Sequence, residues 1–298
     1  MNALTLKHFR YFEALAQHGH FGRAADASGV SQPALSMQIK ELEAILDVQL
    51  FERTARTVRL TRFGEDFALR VRDILRAVDE VGDLARLAQN HLSGRLRIGV
   101  IPTIAPYLLP AFLAPLAQAH PTLDVHVRET LTPRLIEELS QGRIDTAIVA
   151  LPVSEPSFEE VAIFEEEFKL VRALADADRP VPEARDLAKM QLLLLEEGHC
   201  FRDQALAFCA MRPAVSRAGL DGSSLSTLVQ LVGAGLGVTL IPDMAVALET
   251  RGANVDVAGF PNDPPKRRIG MIWRKTSPLS EQFHQIAGLV AQAARVIA

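Results

Sequence analysis

The stretch FGRAADASGVSQPALSMQIKELEAILDVQLFERTARTVRLTRFGE, residues 21–65, decides how the N-terminal part of this chain folds. A short helix over GRAADA ends at Ser28-Gly29, where the chain turns. Ser31 is then a good helix N-cap, and Pro33 suits the first turn of a second helix. The apolar residues of that helix share one face at helical spacing, at Leu35, Ile39, Leu42 and Leu46. The stretch therefore predicts two helices joined by a tight turn.

The opposite face of the second helix carries polar side chains near its start. Gln32 stands at the N-terminal end, and Ser36 and Lys40 follow beside Pro33 and Met37. Uncharged hydrogen-bonding groups near the start of the second helix are typical of a helix that enters the major groove of DNA. The pattern leaves open a second interpretation, a small helical bundle with a solvated polar face.

A basic edge follows the helix pair. The segment RTARTVRLTRFG alternates Val58 and Leu60 with Arg59, which predicts a β-hairpin wing that contacts phosphates. The whole chain has a formal net charge of −4, yet residues 1–62 carry eight Lys and Arg against six acids. That segment is +2 and the remainder is −6, so positive charge is concentrated where DNA binding is expected. The residues that we expect to contact DNA are Ser31, Gln32, Pro33, Ser36, Lys40, Arg53, Arg56 and Arg59.

A heptad pattern follows the wing. Apolar residues recur with spacings of four and three, at Phe67, Val71, Ile74, Val78, Val81, Ala85 and Ala88. Polar and charged residues surround them, as in a coiled coil. We interpret this seam as a dimer contact, because an isolated helix would have nothing to bury it against. The alternative is a helix packed on its own domain. The segment NHLSG, residues 90–94, then predicts a break.

From Arg95 onward, strand and helix patterns alternate. The first five segments predict a βαβαβ unit with a parallel sheet: strands over 96–101, 124–129 and 146–150, helices over 106–120 and 133–142. Later segments predict strands over 161–171, 192–196, 238–242 and 268–273 and a final helix over 278–297. We expect two α/β lobes, with a ligand site in the cleft between them.

The chain has two cysteines, and both lie in EEGHCFRDQALAFCA, residues 196–210. Two thiols in 298 residues are not a secreted disulfide framework. No stretch approaches the roughly 18 apolar residues of a membrane span, and the N-terminus does not resemble a signal peptide. We therefore expect a cytoplasmic protein without a membrane partner.

The spacing of Cys200 and Cys209 has a physical consequence. A helix after Gly198-His199 would place Cys200 at a helix start, where the partial positive charge favours the reactive thiolate. Nine helical residues would separate the two Cα atoms by roughly 13 Å, whereas a disulfide needs them within about 7 Å. Forming that bond would require the segment to unwind. Two other interpretations are a pair of buried small apolar residues and a zinc site with His199, which lacks a fourth ligand. We expect no metal and no cofactor.

The combination RAA, VSQPALS, LE and LFER within residues 21–65 resembles the winged helix-turn-helix of LysR-type transcriptional regulators. The resemblance continues over nearly the whole chain. It implies an α/β protein with a winged helix-turn-helix domain over 1–62, a linker and dimerisation helix over 63–92 and a two-lobed regulatory domain over 93–298. That last domain would resemble periplasmic binding proteins, with lobe I over 93–163 and 268–298 and lobe II over 164–267.

Within that family, three segments resemble the hydrogen peroxide sensors: IGVIPTIAPYLLP, LLLLEEGHCFRDQALAFC and RRIGMIWR. The resemblance implies that Cys200 is the peroxidatic cysteine, that Cys209 resolves it, and that their disulfide is the switch. It also implies a peroxide pocket formed by Thr103, Thr132, His199, Asp203 and Arg267, although the sequence leaves open whether Arg267 or Arg268 faces the thiolate.

The resemblance further implies a homotetramer, built as a dimer of dimers, that binds promoter DNA, responds to hydrogen peroxide as effector and works with RNA polymerase on oxidative-stress genes. Two alternatives remain. One is a regulator of the same fold that binds a small metabolite in the cleft between the lobes. The other is a thiol peroxidase that turns over; the heptad seam and the basic wing favour a regulator over an enzyme.

Overall fold

The computed structural model describes residues 4–53, 58–87, 93–187, 189–209, 221–261 and 264–297, with the side chains of 83–87 also outside the description. The chain divides into two compact units, Met1–Ala88 and Gln89–Ala298, and each is described by itself. None of the described helices is long and apolar enough to span a membrane.

The first unit is a winged helix-turn-helix. Its elements are α1 (Leu6–His18), α2 (Phe21–Ala27), α3 (Gln32–Leu46), β1 (Phe51–Arg53), β2 (Val58–Leu60) and α4 (Arg62–Leu87). The hydroxyl of Ser31 accepts a hydrogen bond from the Ala34 backbone N–H at 3.4 Å and caps α3, as predicted. The predicted apolar stripe of α3 faces the core, where Leu35, Ile39 and Leu42 are fully buried. β1 and β2 pair antiparallel and form the wing.

The predicted dimer seam on α4 is only partly available to a partner. The Phe67 ring contacts Phe12 edge-on with centroids 5.0 Å apart, and Val71 is fully buried in the core of the same unit. These two residues therefore pack on their own domain, which corrects the interpretation of the first part of the seam. Ile74 and Val81 are 40% and 66% exposed, and Val78 is half-buried. The seam positions Ala85 and Ala88 lie outside the described side chains.

The second unit is an α/β domain. Its strands are β3 (Gly94–Val100), β4 (Leu123–Glu129), β5 (Thr146–Leu151), β6 (Phe158–Ala173), β7 (Thr239–Pro242), β8 (Val255–Ala258) and β9 (Lys266–Arg274). Its helices are α5 (Ala105–Ala119), α6 (Thr132–Ser140), α7 (Ala184–Leu187), α8 (Cys200–Phe208), α9 (Leu225–Gly233), α10 (Asp243–Glu249) and α11 (Ser280–Ile297).

The strand order is β4-β3-β5-β9-β6-β7, and β8 also pairs with β6. The predicted βαβαβ unit is present, because β3 pairs parallel with both β4 and β5. The sheet is mixed rather than parallel throughout, since β9 runs antiparallel to β5 and β6. The first part of β6 pairs with β9, and residues 168–173 pair with β7 and β8. β6 thus passes from one lobe into the other.

The apolar run at 192–196 does not form the predicted strand. Only single bridges occur, from Leu192 to Val238 and from Leu195 to Gly222. Leu193, Leu194 and Leu195 are all buried in the lobe II core. A short run of consecutive apolar residues is consistent with a buried strand but does not identify one, because it lacks the alternation of a half-buried strand. The prediction was therefore wrong here.

Candidate functional site

Cys200 is the first residue of α8, where the preceding turn brings it against the start of α6. Gly198 in that turn has φ +94°, a backbone conformation that L side chains rarely adopt. A Cβ at this position would also lie 2.9 Å from Leu131 Cδ1. Glycine therefore allows the chain to approach Leu131 closely while it enters α8. The thiol of Cys200 is half-buried at the positive end of that helix.

A small cavity lies beside this thiol. The space between its atoms, open solvent included, is about 160 Å³ and leaves no room for a whole water molecule; its lining consists of Ile101, Pro102, Thr103, Leu131, Thr132, His199 and Cys200. The hydroxyl of Thr132 is buried and has no hydrogen-bond partner within the described part of the chain. A buried hydroxyl ordinarily has a partner. The cavity therefore presents a polar group that a small hydroxylic molecule would satisfy. Of the five predicted pocket residues, Thr103, Thr132 and His199 line this cavity with Cys200.

Arg267 reaches the same place from β9. Its guanidinium is buried, and Nη1 donates to Thr103 Oγ1 at 2.7 Å while Nη2 donates to the Thr103 carbonyl at 2.9 Å. It also lies over the Phe201 ring, 5.5 Å from the centroid. The neighbouring Arg268 is exposed, so Arg267 is the interior one of the pair. Asp203 lies exposed in the first turn of α8 and does not line the cavity.

The pKa values of His199 and Cys209 both differ from their ordinary values. Burial lowers the pKa of His199, against a smaller opposing effect of Glu196, so the imidazole is neutral at pH 7. Burial raises the pKa of Cys209 to about 11. Cys209 ends α8 inside the lobe II core, and it stays a protonated thiol at neutral pH. Both cysteines are free, and they stand at opposite ends of one helix.

Sequence analysis missed Glu166, which Arg267 contacts. Arg267 Nε donates to Glu166 Oε1 at 2.7 Å, and both side chains are buried. The signal was present in the sequence: three acids at 165–167 face three bases at 266–268 across the antiparallel β6–β9 pair. In that register Glu166 pairs with Arg267. Knowing the register requires knowing that β6 and β9 are neighbours, which the sequence alone did not establish.

The residues expected to contact DNA fall into three groups. Ser31, Gln32, Pro33, Lys40 and Arg59 are exposed, and Ser36 is half-buried on the same helix as Lys40. Arg53 is engaged within the protein, because its guanidinium bonds Glu43 at 2.6 Å. Arg56 lies outside the described residues.

Glu43 of α3 holds the first strand of the wing by hydrogen bonds. Its Oε1 accepts hydrogen bonds from the backbone N–H groups of Leu50 and Phe51, at 2.9 and 3.3 Å. Its Oε2 binds Arg53. Through these contacts α3 fixes the start of β1, and the structural role of Arg53 stands beside the expected contact with phosphate.

Comparison with known proteins agrees with this architecture. Residues 6–65 match the family model "Bacterial regulatory helix-turn-helix protein, lysR family", and residues 89–295 match "LysR substrate binding domain". A hydrogen peroxide-inducible genes activator of Dickeya chrysanthemi is 39% identical over 97% of this chain and 95% of its own length.

Solved structures give the same result. A full-length OxyR of Pseudomonas aeruginosa with a Cys-to-Asp substitution has a TM-score of 0.77 at 33% identity, covering 97% of this chain and 95% of that chain. A hydrogen peroxide-bound Cys-to-Ser variant of Corynebacterium glutamicum OxyR has a TM-score of 0.68 at 37% identity, covering 98% and 93%. The chain belongs to the LysR family of bacterial helix-turn-helix regulators.

Proposed function

We propose that this protein is a peroxide-responsive transcriptional regulator whose DNA contacts change when Cys200 and Cys209 form a disulfide. The observation that carries the proposal is the cavity in which Cys200, at the start of α8, meets Thr103 and the unpartnered hydroxyl of Thr132. The cavity is far smaller than the roughly 300–1,000 Å³ of ordinary ligand pockets, so it has no room for a metabolite, and even peroxide enters only when the lining side chains move apart.

The chemistry proceeds in two balanced steps. The Cys200 thiolate attacks one peroxide oxygen, the O–O bond breaks, and the other oxygen leaves as hydroxide that takes up a proton to become water. Cys200 is then a sulfenic acid. The Cys209 thiol condenses with it, which forms the disulfide and releases a second water. The two sulfurs together lose two electrons, and peroxide gains them.

The second step cannot occur in the structure described here. Cys200 begins α8 and Cys209 caps its end, so their Cα atoms lie roughly 13 Å apart at 1.5 Å per residue. A disulfide requires about 7 Å or less. Cys209 is buried in the lobe II core beside residues such as Phe208, so bringing the two sulfurs together must also disturb the packing of that core. Oxidation is therefore coupled to unwinding of α8 and repacking of lobe II.

The names of the relatives support the response to peroxide and the control of genes. Their names describe peroxide-inducible gene activation and, in one structure, bound hydrogen peroxide. We propose accordingly that the helix-turn-helix, linker and two-lobed domains have the boundaries expected from the sequence. We further propose that α4 contributes to a homotetramer, that promoter DNA and RNA polymerase are the partners, and that the protein acts in the cytoplasm.

The test compares the two cysteines in the full-length protein. Cys200→Ser removes the nucleophile, so this variant should bind DNA in its reduced mode and show the same footprint with and without peroxide. Cys209→Ser keeps the nucleophile and should accumulate sulfenic or over-oxidised Cys200 with a weakened structural response. Mass spectrometry and DNA footprinting after one equivalent of peroxide measure both.

Two outcomes would contradict the proposal. A peroxide-dependent footprint in Cys200→Ser would remove Cys200 as the sensor. Consumption of many equivalents of peroxide in the presence of a thiol reductase, with unchanged DNA contacts, would instead identify a thiol peroxidase.

A further inference from the structure

Glu166 lies at the centre of a charged ladder between β6 and β9. Three cross-strand pairs follow one another, Glu165 with Arg268, Glu166 with Arg267 and Glu167 with Lys266. Because neighbouring residues of a strand point to opposite faces, the outer pairs and the middle pair face different surroundings. Arg268 and Lys266 are exposed, whereas Glu166 and Arg267 are buried. The middle pair is therefore directed into the protein.

The Glu166 carboxylate is fixed at both oxygens. Oε1 accepts from Arg267 Nε at 2.7 Å, and Oε2 accepts from the Met244 backbone N–H in the first turn of α10 at 3.2 Å. A carboxylate held by a backbone donor and a guanidinium has little freedom to move. The orientation of the Arg267 side chain is fixed in turn.

Arg267 determines the direction in which the Thr103 hydroxyl can donate a hydrogen bond. A guanidinium only donates hydrogen bonds, so Thr103 Oγ1 must be the acceptor of the 2.7 Å bond from Nη1. The bond from Nη2 to the Thr103 carbonyl holds the backbone of the same residue. The single proton of the hydroxyl consequently points away from Arg267. Thr103 lines the cavity that contains Cys200.

We propose that Glu166 is a positioning residue for the peroxide reaction: it holds Arg267 in the orientation that makes Thr103 a hydrogen-bond donor to peroxide. This inference rests on the proposed function. When the Cys200 thiolate attacks one oxygen and the O–O bond breaks, negative charge develops on the departing oxygen. A fixed donor at that oxygen stabilises the transition state. Glu166 touches neither sulfur nor peroxide and acts through Arg267 and Thr103.

A different role for Arg267 predicts the opposite result. If its positive charge acted directly on the thiol, the Glu166 carboxylate at 2.7 Å would weaken that effect. Removing the carboxylate would then favour the thiolate and accelerate reactions of Cys200 at neutral pH. The positioning role predicts instead a slower reaction with peroxide alone.

The experiment measures the rate constant of Cys200 in the full-length protein with two reagents, hydrogen peroxide and iodoacetamide, over a range of pH. Alkylation needs the thiolate but no donor to a departing hydroxide. We expect Glu166→Ala to slow the peroxide reaction about 100-fold, at the lower end of the range for losing one transition-state donor. The limiting alkylation rate at high pH should not change.

Four further variants sharpen the test. Glu166→Gln retains an acceptor for Arg267 and should keep most of the peroxide rate. Thr103→Val should lose as much as Glu166→Ala, and combining the two should cause no further loss, because both act through one hydroxyl. Glu165→Ala, an exposed acid on the same strand, is the matched control and should react as the wild type does.

Three outcomes would overturn the inference while the wild type remained reactive. Glu166→Ala could slow the reactions with peroxide and iodoacetamide equally, or it could react with peroxide at the wild-type rate. The double variant could also show a rate loss equal to the product of the two single losses. If wild-type Cys200 reacted with peroxide no faster than free cysteine, the proposed function itself would fall, and the inference with it.

Discussion

At the scale of single residues, the two thiols differ in their surroundings before any oxidant arrives. Cys200 is half-buried beside a small cavity that Thr103 and Thr132 also line, whereas Cys209 is 1% exposed among apolar side chains. Desolvation disfavours the charged thiolate of Cys209 and favours its protonated form. The proposed nucleophile and the proposed resolving thiol therefore differ in burial, which nothing in their spacing along the chain indicates.

The pKa of Cys209 leads to a prediction about stability. The thiol pKa is about 11 in the folded protein, against an ordinary 9.0. Because the folded pKa is the higher one, the stabilising contribution is complete below pH 9 and is lost as the pH rises from 9 to 11. Between these values the reduced wild type should lose up to about 2 to 3 kcal/mol more unfolding free energy than Cys209→Ala. Denaturant unfolding at several pH values measures this, and parallel curves for the two proteins would contradict it.

Trp273, the only tryptophan of the chain, is a poor reporter of the switch. It is fully buried near the end of β9, where Nε1 donates to Glu159 and Ser280, and its ring packs against Phe283. None of these contacts involves lobe II. Hydrogen exchange of the α8 backbone, rather than tryptophan fluorescence, is the measurement that should respond to oxidation.

At the scale of elements, α4 shows what a heptad pattern predicts and what it does not. The heptad spacing correctly predicted a long helix, but Phe67 and Val71 are used by the core of the first unit. The first residues of the heptad pattern pack within the unit, whereas Ile74 and Val81, further along the helix, are exposed. Periodicity identifies a buried face without identifying what covers it.

This division predicts the behaviour of α4 variants. Ile74→Asp combined with Val81→Asp should leave the helix-turn-helix folded, break the dimer and weaken DNA binding, because charges in a dry interface cost several kcal/mol. Leu69→Asp replaces an exposed residue of the same helix off the seam and should leave the dimer intact. Sedimentation velocity and circular dichroism measure both properties. A folded double variant that is still dimeric would show that the exposed part of the seam is not the contact.

Other elements were predictable where local chemistry is decisive. Ser31 and Pro33 set the start of α3, and the break at Gly198-His199 sets the start of α8 at Cys200. The pairing of β9 between β5 and β6 was not predictable, because it depends on contacts between residues more than a hundred positions apart. The register that brings Glu166 to Arg267 was hidden for the same reason.

At the scale of the whole molecule, positive charge is concentrated in residues 1–62, which are +2 while the remainder is −6. The exposed Arg59 of the wing and the exposed Gln32 of α3 should make different contributions to DNA binding. Arg59→Ala should weaken binding to all sequences and reduce the dependence of log K on log salt by up to about one unit, because one phosphate contact is lost. Gln32→Ala should relax discrimination between sites.

Titration of operator and random DNA at several salt concentrations separates these effects. Arg185→Ala removes an exposed arginine from the second unit and serves as the control for net charge. An unchanged operator preference in Gln32→Ala together with an unchanged salt dependence in Arg59→Ala would mean that α3 and the wing do not face the duplex as proposed.

The site combines residues that the sequence could name and contacts that it could not. Thr103, Thr132, His199 and Cys200 were identified from a family resemblance, and the fold brings these four to one cavity. Local patterns could not indicate that Thr132 Oγ1 would be buried without a partner, or that Arg267 would bond Thr103 rather than the thiol. Such relations arise from packing between elements distant in sequence.

The strand order of the second unit has a consequence for how the protein is made. β9, residues 266–274, lies between β5 and β6 in the sheet, yet it is synthesised after all the other described strands. Until it leaves the ribosome, β5 and the first part of β6 each present an unpaired edge, and such edges invite aggregation. The nascent chain must carry both edges through the synthesis of more than a hundred residues of lobe II. Completion of lobe I thus waits for residues 266–274, and until they are made these two edges are where the nascent chain needs protection from aggregation.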